Sequence, residues 1–351
     1  RADFARFDLQ ETPVLDFSVN LNPLGPPAII KDRWMEWVDE LQNYPTIEGE
    51  GAARYYREKF GLPPENCLAG NGSTEIIYLL PRALGIDRIL IAAPSYNDYT
   101  RASTLAGAVV HRHSLLQDSP AVSFDNHEVI EKLGKADALW VGSPNNPTGT
   151  LFPKEHLLEC AAAYPDKWII IDEAFMPFVE GRAHCSFACP PFRKNIIVIQ
   201  SITKFYALAG LRLGGIIGHE LVIARLRAAK EPWTVNGIAE KVAPLLLQCG
   251  DYEEETRVLV KGERDRLFQA LKSMPGIVPF PSAANFILCR WQLTDNLDDL
   301  QKFLLSKGFY IRDCRNFPGL EENYFRLAVR LPGENDQLIS ALNAFPGNAA
   351  Q

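Results

Sequence analysis

Five short runs, residues 88–93, 138–142, 168–171, 195–200 and 213–218, are rich in isoleucine and valine and apolar throughout rather than at every second position. A strand that is apolar on both faces is buried on both, so it needs a layer above and a layer below; this is the pattern of a mostly parallel sheet covered by helices. Helix-like stretches separate the runs. The chain is therefore expected to build an α/β layered core. Beyond about residue 235 the texture changes. A long helical pattern over 251–272 is followed by a strand-like 285–289, a helix near 296–307, strands at 309–312 and 324–330, and a closing helix from Glu334. Strands and helices mixed in this way read as a smaller α+β domain, with a boundary near Pro232.

A chain of 351 residues has room for about two domains. With 47% hydrophobic and 23% charged residues it is neither disordered, collagen-like nor coiled-coil. Its formal charge of −7 argues against nucleic acid or an anionic membrane as a general partner, since either calls for a basic face. A local patch for a small anion stays open. The 7 cysteines are odd in number and scattered through apolar segments, which speaks against a disulfide framework and for a reducing compartment. No apolar run approaches the length of a membrane span, and the first fifteen residues have no signal-peptide core. A cytoplasmic protein is expected.

Five segments carry chemistry. Ser201-Ile-Thr203-Lys204 follows a buried strand and leads to Arg212. A lysine just past a strand end, where the sites of open α/β sheets gather, can be desolvated into a nucleophile toward carbonyls, and two hydroxyls with a guanidinium suit a phosphate. A surface lysine in a turn would read the same. Asp172 ends the run 168–172. A carboxylate there is costly unless a cation meets it, and a protonated pyridine nitrogen is one; an N-cap aspartate is the alternative. Gly70-Asn-Gly72-Ser73-Thr74-Glu75 is a glycine turn entering a helix, where free N–H groups make an anion site; Glu75 stands where a dinucleotide fingerprint needs glycine. Asn146, between Pro144 and Pro147, can hydrogen-bond a ring hydroxyl or serve as turn chemistry. Pro94-Ser-Tyr96-Asn-Asp-Tyr99, after the 88–93 run, can lay an aromatic face over a flat cofactor or simply pack.

These signals fall in chain order after successive strands, and their conjunction resembles the fold-type I pyridoxal-phosphate enzymes of the class I/II aminotransferase superfamily across nearly the whole chain. The resemblance implies a mostly parallel seven-stranded sheet, an N-terminal arm over 1–30 joining the small domain, a large cofactor-binding domain over 31–235 and a small domain over 236–351. It implies pyridoxal 5'-phosphate, with Lys204 as the Schiff-base lysine, Asp172 on the pyridine nitrogen, Asn146 on the 3′-oxygen and Tyr96 stacked on the ring. Gly72, Ser73, Thr74, Ser201, Thr203 and Arg212 would surround the phosphate. Tyr44, in Asn43-Tyr44-Pro45, is similar to the tyrosine that reaches the cofactor phosphate of a neighbouring subunit, which implies a homodimer with shared active sites. Arg326 resembles the arginine that grips a substrate carboxylate.

Within that superfamily, Asp16-Phe-Ser-Val-Asn20-Leu-Asn-Pro, Pro232-Trp-Thr-Val-Asn236, Ile311-Arg312-Asp-Cys314 and Asn316-Phe-Pro-Gly-Leu320 resemble the L-threonine-O-3-phosphate decarboxylases of cobalamin biosynthesis more than the histidinol-phosphate aminotransferases. On that likeness Arg312 and Asn20 bind the substrate phosphate, carbon dioxide leaves, and 1-aminopropan-2-ol O-phosphate is released; phosphoserine is a second candidate substrate, and transamination of a phosphorylated substrate is the competing reaction. Decarboxylases of this type carry a His-Gly-Gly-Asn segment ahead of the Asp-Phe-Ser motif that supports the phosphate. It is not present in this sequence, which leaves substrate choice open.

Other features read as scaffold. His184-Cys185 and Cys189 match no zinc spacing, so no metal is expected. His111 and His113 alternate in a strand-like stretch as one surface face, Arg54, Arg57 and Lys59 form an ordinary helix face, and the acidic run 251–255 is a solvated helix start.

Overall fold

A computed structural model describes residues 2–116, 122, 124–294, 296–320 and 323–346. Its strands, in chain order, are β1 (Leu15–Asp16), β2 (Cys67–Asn71), β3 (Arg88–Ala93), β4 (Val109–Ser114), β5 (Ala138–Gly142), β6 (Trp168–Asp172), β7 (Ile196–Ser201), β8 (Leu213–Gly218), β9 (Ile277–Pro279), β10 (Phe286–Trp291), β11 (Phe309–Tyr310), β12 (Arg312–Asp313) and β13 (Tyr324–Ala328). Seven of them form one sheet in the order β2-β8-β7-β6-β5-β3-β4. Only β8 runs against the rest. Its inner strands are sandwiched as their composition requires. Ile169 and Ile171 of β6 pack into one apolar core while Ile170 packs into the other, and Leu139 and Trp140 of β5 divide the same way.

The strand order reverses between β3 and β5, so the loops that follow these two strands open a crevice at the carboxyl end of the sheet. The loops after β6 and β7 border it too. A four-stranded antiparallel sheet, β12-β13-β10-β9, forms the smaller layer with the helices Gly250–Lys272, Leu297–Ser306 and Pro332–Asn343. Phe17, Leu267, Trp291, Leu304, Phe325 and Leu338 share its core. The N-terminal segment joins this layer through β1, which pairs with β11. Among the described residues no helix is long and apolar enough to cross a membrane.

Several expectations are corrected. The glycine segment at 70–72 is not a free turn: Gly70 and Asn71 end β2, and the helix Gly72–Leu84 starts at once. Gly70 is kept small by that helix, since a Cβ on it would meet Ile76 Cγ1 at 3.0 Å, and the partner strand is kept small in turn, since a Cβ on Gly214 of β8 would meet the Ser73 nitrogen at 2.3 Å. The strand expected at 309–312 is two short strands in different sheets, parted at Ile311. His113 is not on a surface face. It is buried on β4, 3.7 Å from Glu128 and edge-on to Phe124, whereas His111 is exposed. Nor is the acidic run wholly solvated: Glu253 is buried, with Lys59, Arg182 and Arg257 around it and the Tyr206 hydroxyl donating to it at 2.6 Å. Lys59 thereby leaves the ordinary helix face to meet a buried acid.

Candidate active site

A cavity of about 420 Å³ opens at the crevice between the sheet's carboxyl end and the smaller layer. Lys204, Asp172, Tyr96, Asn146, Ser73, Thr74, Ser201, Thr203, Arg212, Asn20, Arg312 and Arg326, far apart in sequence, all line it. Gly72 and Tyr44 do not. Gly72 stands behind the wall at a φ of +75°, where a Cβ would strike the Arg212 guanidinium at 2.5 Å. Its lack of a side chain lets that guanidinium close on the helix start. Tyr44 is 90% exposed, against Trp233 and away from this cavity.

One end of the cavity is built to hold an anion. The first turn of the helix Gly72–Leu84 brings Ser73 and Thr74, and Arg212 donates to the Thr74 hydroxyl at 3.2 Å. The Ser201 and Thr203 hydroxyls, 2.9 Å apart and buried, face it from the end of β7. Arg212 holds a left-handed φ of 55°, a conformation that non-glycine residues adopt at a cost. A helix start, hydroxyls and a guanidinium together suit a phosphate.

Asp172 closes β6 beneath the cavity. Burial pushes its carboxyl above the usual range, opposed by a hydrogen bond from the Tyr99 hydroxyl at 2.8 Å, another from the Ala174 N–H at 2.9 Å, and the nearby Lys204. Burial also lowers the Lys204 ammonium, assisted by Arg212 and Arg326 and opposed by Asp172. A lysine so placed gives up its proton more readily than one in water, which is what a nucleophilic amine needs. The Lys204 turn is anchored from the N-terminal segment: Asn22 donates its N–H to the Lys204 carbonyl at 3.0 Å and its side-chain amide to the Phe205 carbonyl at 2.7 Å.

The opposite wall carries two more cations. Arg326, on β13, is buried; burial lowers its guanidinium to about 10. It donates to Asn146 Oδ1 and, at 3.0 Å, to the Ser18 carbonyl, and it lies 5.0 Å over the Phe286 ring. Among the described residues its Nε has no hydrogen-bond partner, and neither has the buried Asn20 Oδ1. Buried polar atoms without partners are rare, and two on one cavity wall mark places where a ligand completes the bonding. Arg312 donates to Asn316 Oδ1 at 2.9 Å and lies 5.3 Å over Phe317.

Ser18, Asn22 and Phe317 are not singled out by the sequence, and Tyr99 is read there only as a second aromatic of the segment that carries Tyr96, not as a partner of Asp172. Tyr99 had a readable signal, since it lies one helical turn after Tyr96; the others depend on contacts across the chain.

Behind the cavity, Glu173 follows Asp172 but points to the other side of the sheet. It accepts from Ser186, from the Phe187 N–H and from Gln200, yet burial raises its carboxyl to about 7 from 4.5. A folded pKa above the unfolded one means this carboxyl favours folding below about pH 4.5 and that the advantage is lost as pH rises through 7. Glu173→Gln, which mimics the neutral acid, should therefore gain on the parent protein by on the order of 3 kcal/mol between pH 5 and pH 8 in denaturant titrations. Equal pH dependence of the two proteins would contradict this.

The family model described as aminotransferase class I and II matches residues 12–342. The chain is 34% identical over 340 residues to threonine-phosphate decarboxylase of Salmonella typhimurium, covering 94% of this chain and 90% of that one. It is 32% identical over 340 residues to the adenosylcobalamin biosynthesis bifunctional protein CobDQ of Leptospira interrogans, covering 95% of this chain and 39% of the longer relative. Among solved structures, the histidinol-phosphate aminotransferase of Clostridium acetobutylicum superposes with a TM-score of 0.86 at 32% identity, covering 94% of this chain and 98% of that one.

Proposed function

Because the chain belongs to the class I and II aminotransferase family and is a pyridoxal-phosphate-dependent enzyme, we propose that it decarboxylates L-threonine O-3-phosphate to 1-aminopropan-2-ol O-phosphate in cobalamin biosynthesis. The observation that carries this reading is the pair Arg326 and Arg312, which face the same cavity as Lys204 with a third cation, Arg212, at the anion end. One guanidinium serves the cofactor phosphate. Two remain, enough for a substrate that bears a carboxylate and a phosphate at once. The 34% identity to a threonine-phosphate decarboxylase supports the same substrate.

The donor set fits the cofactor. Ser73, Thr74, Ser201, Thr203 and Arg212 offer hydroxyls, helix N–H groups and a cation that would hold its phosphate; Asp172 would hold the pyridine nitrogen, Asn146 the 3′-oxygen and Tyr96 the ring face. Gly72 leaves the room that Arg212 needs, since even a Cβ would collide with it. When bound, pyridoxal 5'-phosphate supplies the electron sink for the pair left at a substrate carbon when one of its bonds breaks. Which bond breaks is decided by orientation. Arg326 grips the substrate carboxylate in a bidentate pair and exchanges its bond to Asn146 for one to the substrate. Arg312 holds the distal phosphate, with the side-chain N–H of Asn20 as a second donor on the same wall. Lys204 is the amine on the same cavity that can hold or return a proton.

Phosphoserine lacks only one methyl, worth about 1–3 kcal/mol, so it is used within about 10- to 200-fold of phosphothreonine. A second copy of the chain covers the exposed Tyr44, Trp233 and Ile47, which touch one another, because exposed apolar surface of this kind marks an interface; from there Tyr44 reaches the partner's cofactor phosphate. Sedimentation should give twice the mass of one chain, and a monomer would remove this part of the reading. The reaction itself is tested by comparing L-threonine O-3-phosphate alone with histidinol phosphate plus 2-oxoglutarate. Turnover of the first only supports decarboxylation, and turnover of the second only replaces it by transamination.

A further inference from the structure

Beneath the cavity, the first turn of the helix Asn97–Leu105 turns Tyr99 inward while Asp98 turns out to the Tyr78 hydroxyl. Tyr99 is 3% exposed and stacks on Trp140 of β5, with ring centroids 4.8 Å apart and planes at 18°. The Tyr96 ring, which lines the cavity, meets it edge-on at 5.6 Å. This clamp aims the Tyr99 hydroxyl at Asp172 Oδ2, while the Ala174 N–H takes Oδ1. Both carboxylate oxygens are thus fixed, one by side chain and one by backbone. Gly142, the last residue of β5, leaves room beside the hydroxyl: a Cβ there would stand 3.3 Å from the Tyr99 oxygen and equally close to the Asn145 Cα and Oδ1. Gly142 has no left-handed backbone to explain a glycine. The space shared by the hydroxyl and Asn145 does.

We propose that Tyr99, seated by Trp140 and Gly142, is a positioning residue that holds Asp172 ionised and correctly turned toward the cofactor's ring nitrogen, and so sets how firmly the protein holds that cofactor. The proposal rests on the assignment of Asp172 to that nitrogen. The physical basis is that a fully buried carboxylate keeps its charge only where donors compensate for lost water. Tyr99 supplies the one side-chain donor among the hydrogen bonds described for Asp172. Its phenol is itself held neutral, since burial and the Asp172 charge both push its ionisation far above the usual range, so it donates rather than competes.

The test is a cycle of variants read by the dissociation constant of pyridoxal 5'-phosphate from the apoprotein, with the bound cofactor's absorbance followed against pH. Tyr99→Phe deletes one oxygen and keeps the ring stack. It should weaken retention about tenfold, the loss of one hydrogen bond to a charged group, and move the pH profile. In an Asp172→Asn background the same change should have no further effect, because the group it acts through is gone. Gly142→Ala, which crowds the hydroxyl without removing it, should lower retention in the parent protein and lower it less in Tyr99→Phe, where only the crowding of Asn145 remains. Unchanged retention in Tyr99→Phe, or losses that simply add in the double variant, would overturn the positioning role. If Asp172→Asn itself leaves retention unchanged, the assignment of Asp172 fails and the proposal fails with it.

Discussion

Replacing Lys204 by alanine is expected to lower kcat by at least about 10⁴-fold, the scale seen when a covalent nucleophile is removed. The folded protein should survive the change well. Lys204 is a partly buried cation facing two others, Arg212 and Arg326, so its loss relieves repulsion and removes no packing that the sheet needs. Two readouts separate this from simple damage. Borohydride treatment followed by peptide mass analysis should fix the cofactor to the segment containing Lys204 in the parent protein and to none in Lys204→Ala. The variant's melting temperature should be equal or higher. A variant that keeps measurable turnover and still fixes cofactor would place the nucleophile elsewhere.

The second large effect concerns Arg326. Its guanidinium is buried with hydrogen bonds to a neutral amide and a carbonyl, and none to an acid. A buried cation without a counter-charge is costly, and such a cost in a cavity wall is what a site for an anionic ligand looks like before the ligand arrives. Arg326→Met should therefore reduce kcat/KM by about 10²–10⁴-fold, from losing two charge-assisted bonds to a carboxylate at about 1.5–3 kcal/mol each. Thermal stability should be unchanged or raised. A fall in melting temperature comparable to a core truncation, with kcat/KM nearly intact, would make Arg326 structural and leave the carboxylate without a partner.

The parts of this molecule that were legible in the sequence share a physical cause. Strands β3, β5, β6, β7 and β8 announce themselves because burial on both faces demands unbroken apolar runs, and residues such as Asp172, Asn146 and Lys204 stand out as polar groups placed just where those runs stop. Strand β2 was missed because it ends in Gly70 and Asn71, residues that read as a turn, and Gly70 is small for a reason outside the strand, the close approach of Ile76 on the helix that follows. The acidic segment at 251–255 looks solvated until Lys59 and Arg182 are brought beside Glu253 from two other parts of the chain, joining Arg257 from the next turn of the same helix. His113 belongs to the same class, buried by Phe124 and a neighbouring helix rather than by its own strand pattern. Tyr99 shows the boundary most clearly. Its place one turn after Tyr96 is in the sequence, but that its hydroxyl meets Asp172, and that Gly142 leaves room for it, is visible only once two strands and a helix are assembled.

The central claim is that the cavity breaks the bond to the substrate's carboxylate. The most direct test supplies carboxyl-labelled L-threonine O-3-phosphate to the holoenzyme with no keto acid present, and follows labelled carbon dioxide together with aminopropanol phosphate by mass spectrometry. The account predicts many turnovers per active site, with one carbon dioxide for each amine formed. No labelled gas, with amino transfer appearing only once 2-oxoglutarate is added, would contradict it.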